Sequence, residues 1–186
     1  MVAADAFRDQ PVLRGRSVRL EPLTVVVLEE YLRAMDDPEV TRLTGTHATF
    51  TAAAIEQWLR TRADHHDRAD WAVVRAADGA FLGEAVLNEL DADNDSASYR
   101  VWLAGPQVFG RGYGSEVTRL VVDYALDVVG LHRLSLEMFD HNPRARRVYE
   151  KCGFTLEGRL RDALLWQGHR HDALVMSILS TDPRGA

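Results

Sequence analysis

The chain has 186 residues, 28 of them acidic and 22 basic, a net charge of −6 and a single cysteine. That length fits one domain with a substantial core, the charge disfavours a nucleic-acid-binding surface and suits a cationic substrate, and one cysteine excludes an internal disulfide, as in a reducing compartment. Apolar runs fall short of the roughly 18 residues of a membrane span and no basic-then-apolar leader is present, so a cytoplasmic setting without membrane contact is expected.

Residues 1–12 and 181–186 have no periodicity and read as flexible tails around a single domain over 13–180. Residues 17–23 alternate apolar and polar side chains, which predicts a half-buried strand ending near Pro22. Thr24 then reads as the N-cap of a helix from about Val25 to Met35, and Asp37-Pro38 breaks it. A second helix follows Thr51, with Ile55, Trp58 and Leu59 at helical spacing. Trp71 to Ala76, the turn Asp78-Gly79 and Phe81 to Leu90 make a hairpin signature. The carboxylates of Asp91, Asp93 and Asp95 suggest a calcium loop, but Ser96 and Trp102 stand where such a loop needs Gly and Glu. The segment therefore reads as a turn into the strand Ser98 to Leu103.

Gly105-Pro106 ends that strand and leads to Gln107-Val108-Phe109-Gly110-Arg111-Gly112-Tyr113-Gly114-Ser115. Alternating glycines let the backbone take positive φ and approach a ligand closely, and successive N–H groups ahead of a helix form an anion-binding hollow. Arg111 adds a positive charge. A P-loop would need Gly-Lys followed by Ser or Thr, and a dinucleotide fingerprint G-x-G-x-x-G in an early βαβ unit; neither is present. The helix that follows carries Val117, Leu120, Val121, Tyr124, Ala125 and Val128 on one stripe.

Gly130 closes this helix, and Arg133 to Met138 alternates as a strand with Leu134, Leu136 and Met138 on one face and Glu137 on the other. Asn142-Pro143 is an N-cap and first-turn pair for a short helix whose buried stripe is Ala145, Val148, Tyr149 and Cys152. Residues 155–165 and 169–179 form a last hairpin around Gln167-Gly168. His169 and His171 share a strand face and His65-His66 lie in a loop, but neither pair has a third ligand at recognisable spacing, so no metal site is predicted. Cys152 reads as a small buried hydrophobe.

Gln107-x-x-Gly110-x-Gly112 together with Asn142-x-x-Ala145-x-x-x-Tyr149 and Glu150-Lys151-Cys152-Gly153-Phe154 resembles the GNAT N-acetyltransferases, most closely their RimJ/RimL-type branch. The resemblance runs from Leu13 to Met176. It implies an α+β fold with a mixed, mostly antiparallel sheet flanked by helices and splayed between the strands before and after the cofactor-loop helix. It also implies acetyl-CoA as cosubstrate, a primary amine on a small molecule or protein N-terminus as acceptor, and homodimers formed through exposed strands. The first helices would form one wall of the acceptor groove, where Trp58 and Trp71 read as core residues in preference to groove-lining ones. A non-catalytic acyl-CoA-binding module is the alternative within the same fold.

Acetyl transfer to an amine requires that the amine lose a proton, an oxyanion be held and a thiolate be protonated. The resemblance gives the last task to Tyr149, whose phenol, with a reference pKa of about 10, stays protonated at neutral pH. It places Glu137 where the ribosomal-protein acetyltransferases carry a catalytic glutamate. Many relatives also have an acid on the preceding strand where this chain has Ser98, so the base is Glu137, Glu84 or an ordered water. Main-chain N–H groups of Trp102, Leu103 and Ala104 would serve the oxyanion and the pantetheine arm. The backbone from Gly110 through Arg111, Gly112, Tyr113 and Gly114 to Ser115 would take the pyrophosphate, and Asn142 the pantetheine. Arg144, Arg146 and Arg147 read as a solvated helix face that could also meet the ribose phosphate.

Overall fold

The computed structural model describes residues 2–185; Met1 and Ala186, the outer ends of the two expected tails, lie outside them. Eight strands form one sheet: β1 Leu13–Arg14, β2 Val18–Pro22, β3 Ala69–Arg75, β4 Phe81–Asp91, β5 Ser96–Leu103, β6 Arg133–Phe139, β7 Thr155–Trp166 and β8 His169–Leu179. Their order across the sheet is β1-β2-β3-β4-β5-β6-β8-β7. Every neighbouring pair is antiparallel except β5 and β6.

That one parallel pair opens the site. β5 and β6 match only at Ser96–Arg133, Ala97–Leu134 and Ser98–Ser135, after which the two strands part. Residues 99–103 keep their partners on β4, and residues 136–139 keep theirs on β8. The far halves of β5 and β6 thus each present one unpaired edge to the gap between them.

Among the described residues five α-helices flank the sheet: α1 Leu28–Met35, α2 Pro38–Thr44, α3 Ala52–Arg60, α4 Tyr113–Asp123 and α5 Pro143–Lys151. β3 is buried on both faces, which its nearly continuous apolar run reflects. Trp71 and Val73 join the larger core with Val117 and Val121 of α4 and Tyr149 of α5. Ala72 and Val74 join a second core with Tyr31, Val40, Ile55 and Leu59 from α1, α2 and α3. Trp71 is fully buried and donates from Nε1 to the Pro11 carbonyl at 3.0 Å, while Trp58 packs at the edge of the second core under the Arg62 guanidinium.

Three local expectations change. Asp37-Pro38 ends α1 but also starts α2: the Asp37 carboxylate accepts the N–H groups of Glu39 and Val40, and Pro38 fills the first helical position. Past α4 the backbone widens into a π turn over Tyr124–Val128. The extra residue per turn rotates the stripe, so Leu126 is buried and Val128 is 73% exposed. The segment read as an N-terminal tail sends Phe7, with no exposed surface, into the larger core.

Candidate active site

A cavity of about 560 Å³ fills the gap between β5 and β6. Its walls are Arg100 to Leu103 on one side and Glu137 to Phe139 on the other, with α2 at one end and the glycine loop and α5 at the other. The motifs about 30 residues apart in sequence converge here because α4 packs on the sheet between the strands that carry them.

The glycine loop adopts the conformation its composition requires. Gly110 and Gly112 have φ of 71° and 84°, and a Cβ on either would meet no atom within 4 Å, so both occupy open backbone at the cavity rim. Gly112 is the N-cap of α4, and the first helical bond is Glu116 N–H to the Gly112 carbonyl at 3.1 Å. The N–H groups of Tyr113, Gly114 and Ser115 precede that bond and lack intrahelical acceptors, which gives three donors at the positive end of a helix dipole. The Glu116 side chain turns away from the rim and accepts the Ser17 N–H at 2.8 Å. Such a hollow suits a pyrophosphate, and the cavity opens from it into the gap between β5 and β6.

Tyr149 stands at the inner wall, 6% exposed. It lies seven residues after Asn142 and so on the same face of α5, two turns along. Its ring packs edge-on to Tyr99 and against Phe154. Burial pushes the phenol above its ordinary value, with the nearby Cys152 thiol adding to the shift. Among the described residues its hydroxyl has no hydrogen-bond partner. By contrast Tyr99 donates to Thr118 Oγ1 at 3.1 Å, which itself donates to the Gly114 carbonyl at 2.8 Å and so ties β5 to the glycine loop.

Of the other residues singled out from the sequence, Trp102, Leu103, Glu137 and Asn142 line the cavity with the loop residues Gly110, Gly112, Tyr113, Gly114 and Ser115. Asn142 Oδ1 caps α5 by accepting the Ala145 N–H at 3.1 Å, which leaves its amide NH₂ for another partner. Glu137 is exposed at the opening. Ala104, Gln107 and Arg111 are not in the lining. The Ala104 N–H is taken by the Leu82 carbonyl at 2.8 Å, and strand alternation then turns the Leu103 N–H toward the gap. Gln107 Nε2 donates to the Ala104 carbonyl and Arg111 Nε to the Gln107 carbonyl, so both side chains brace the loop from behind.

Glu84 lies beneath the cavity in the second core and does not line it. Its Oε2 accepts from Trp102 Nε1 at 2.6 Å and from the Tyr31 hydroxyl at 3.2 Å, and its Oε1 is buried without a partner. Desolvation raises its pKa, against the opposing pull of Arg100. The sequence reading missed α2, whose Val40, Leu43 and Thr44 close one end of the cavity, and Phe109 and Lys151. The Arg144 guanidinium lies 4.6 Å over the Phe109 ring and lines the rim with Arg147 and Lys151, a basic edge beside the loop. The Asp-Pro pair was the available signal for α2.

Residues 17–155 match the sequence model of the acetyltransferase (GNAT) domain. The spermidine N(1)-acetyltransferase of Vibrio cholerae serotype O1 is 31% identical over 117 residues, 62% of this chain and 67% of that protein. A Bacillus subtilis (strain 168) protein, YdaF, whose name provisionally assigns ribosomal N-acetyltransferase activity, is 29% identical over 140 residues, 74% of this chain and 73% of its own. The crystal structure of spermidine N-acetyltransferase from Vibrio cholerae in complex with CoA and spermine superposes with a TM-score of 0.81 at 21% identity, covering 89% of this chain and 96% of that one, a likeness of fold. With the splayed sheet, the glycine loop and the domain match in agreement, the chain belongs to the GNAT acetyltransferases, the family that draws its acetyl group from acetyl-CoA.

Proposed function

We propose that the chain is an acetyl-CoA-dependent N-acetyltransferase of the RimJ/RimL-type branch that acetylates a primary amine, either a polyamine or a protein N-terminus. The observation that carries this reading is Tyr149, a buried tyrosine in the lining of the gap between β5 and β6 whose hydroxyl has no hydrogen-bond partner among the described residues. The relatives named for spermidine and ribosomal N-acetyltransferase support the acceptor class, and the net charge of −6 favours a cationic one.

Bound acetyl-CoA supplies a thioester acetyl group and a thiolate leaving group. The N–H groups from Gly110 to Ser115 hold the pyrophosphate, and Arg144, Arg147 and Lys151 add charge at the same rim. The Leu103 N–H on the open edge of β5 is the donor for the oxyanion. Tyr149 is protonated at neutral pH as an ordinary phenol is, burial raises its pKa further, and it gives its proton up at the hydroxyl when a thiolate forms beside it. Glu137 faces the solvent side of the opening, where its carboxylate draws in an ammonium and receives its proton through water. Glu84 has no route to the cavity surface and serves under the site, orienting Tyr31 and Trp102.

A panel of polyamines, amino acids and peptide N-termini, read by release of free CoA thiol, tests the proposal. The expected result is amine-dependent thiol release with one acceptor class preferred. Tight CoA binding with no release for any amine contradicts it in favour of a binding module.

A further inference from the structure

We infer a divalent transition-metal site, suited to zinc, formed by Asp140, His141 and His171 at the end of β6. One ligand atom from each of these side chains lies within 4.8 Å of the others. The residues come from two chain segments that the sheet joins: Asp140 N–H bonds the Asp172 carbonyl at 3.0 Å and extends the β6–β8 pairing by one residue. His169, the neighbour with which His171 shares a strand face in sequence, takes no part.

The two imidazoles are set up differently, and both suit metal binding. His141 Nε2 lies 3.0 Å from the Arg42 carbonyl, which can only accept, so the proton is on Nε2 and Nδ1 carries the lone pair. That Nδ1 is buried and has no hydrogen-bond partner among the described residues. A ring with one N–H anchored on a backbone carbonyl and its other nitrogen bare has the tautomer and the free lone pair of a metal-ligating histidine. The ring is also held in place by stacking on Phe139, 5.8 Å between centroids at 8°.

His171 stands edge-on to His141, with ring centroids 4.5 Å apart, and its Nδ1 is 3.3 Å from Asp140 Oδ1. Bonds of about 2.0 to 2.2 Å in a tetrahedral zinc site put ligand atoms about 3.4 Å from one another, so this pair already has the spacing and only small rotations bring in His141. Two nitrogens and one carboxylate oxygen match zinc, cobalt or nickel and not calcium or magnesium, which take oxygen sets. Asp140 Oδ2 also meets Arg159 at 3.4 Å, and Arg159 pairs with Asp172, so one oxygen stays engaged outward while the other faces the histidines. The ion would pin the end of β6, just ahead of Asn142, to β8.

The test is titration of the tag-free, chelator-treated full chain with Co²⁺, followed by visible absorption and by thermal unfolding, with Zn²⁺ as competitor. One saturable equivalent with a rise in unfolding temperature is expected. His141→Gln and His171→Gln should each weaken binding by at least about tenfold, the loss that removing even an outer partner of a ligand brings, and His169→Gln should leave it unchanged. Because His141 also braces α2 through Arg42, Asp140→Asn and His171→Gln carry the test if His141→Gln unfolds. Absence of a saturable cobalt spectrum in the native chain, binding that survives loss of both Asp140 and His171 functions, or loss in His169→Gln would overturn the inference.

Discussion

Tyr149 and Tyr99 meet edge to face with ring centroids 6.4 Å apart and planes at 82°, and among the described residues only the Tyr99 hydroxyl has a hydrogen-bond partner. Tyr99 is anchored through Thr118, whereas Tyr149 shares the packing and lines the cavity. Replacing Tyr149 by Phe therefore keeps the ring contacts with Tyr99 and Phe154. Turnover should fall by about 10²- to 10⁴-fold, the usual weight of a general acid, with CoA affinity unchanged by equilibrium titration. Because burial raises this phenol, the native rate should show no alkaline limb from Tyr149 below about pH 10.

Gly112 sits at φ 84° with open space where a side chain would go, so an added Cβ brings backbone strain and no collision. Gly112→Ala should cost about 1–2 kcal/mol in unfolding free energy. It should also weaken CoA binding, as the loop relaxes and the N–H groups of Tyr113 to Ser115 lose their common aim. Denaturant titration and calorimetry report the two effects separately.

Arg144 lies over Phe109 at the rim with its side chain 50% exposed. Arg144→Ala should raise the KM for acetyl-CoA several-fold with little change in kcat, an effect of about 1 kcal/mol that shrinks as salt screens the interaction. A steady-state series from low to high ionic strength checks it.

Glu84 provides a pH signature. Its folded pKa is raised above the value of 4.5 for a free glutamate, chiefly by desolvation, so the native state binds this proton more tightly than the unfolded chain does. The sign follows: the stability from that proton is complete below about pH 4.5 and is lost as pH rises through the folded value. Glu84→Gln, which keeps the shape without the charge, should be more stable than the native protein at neutral pH, with the difference vanishing at low pH. Urea midpoints between pH 4 and pH 8 would show it, and a difference that grows toward low pH would contradict it.

Local sequence signals were enough for the parts of the fold that local physics decides. The N-cap at Asn142 forms as its side chain dictates, Thr24 caps only a 3-10 turn over Val25–Val27 ahead of α1, and the alternation along residues 133–138 puts Glu137 opposite Leu136 and Met138. What stayed hidden depends on tertiary partners. The π turn at Tyr124–Val128 has no composition of its own and moves Val128 into solvent. Whether Ala104 offers its N–H to a ligand depends on Leu82, 22 positions earlier, and the bond from Arg111 Nε to the Gln107 carbonyl, which leaves the other guanidinium N–H groups free, has no sequence signal either. Asp140, His141 and His171 have no spacing motif, because the sheet pairs β6 with β8 and brings them together.

The central claim concerns where the acetyl donor lies, and a crystal structure of the chain with CoA measures that directly. The account predicts the pyrophosphate on the N–H groups between Gly110 and Ser115, the pantetheine arm between β5 and β6, and the sulfur within hydrogen-bond reach of the Tyr149 hydroxyl. CoA bound outside this gap, or a Tyr149 hydroxyl turned into the core away from the sulfur, would contradict it.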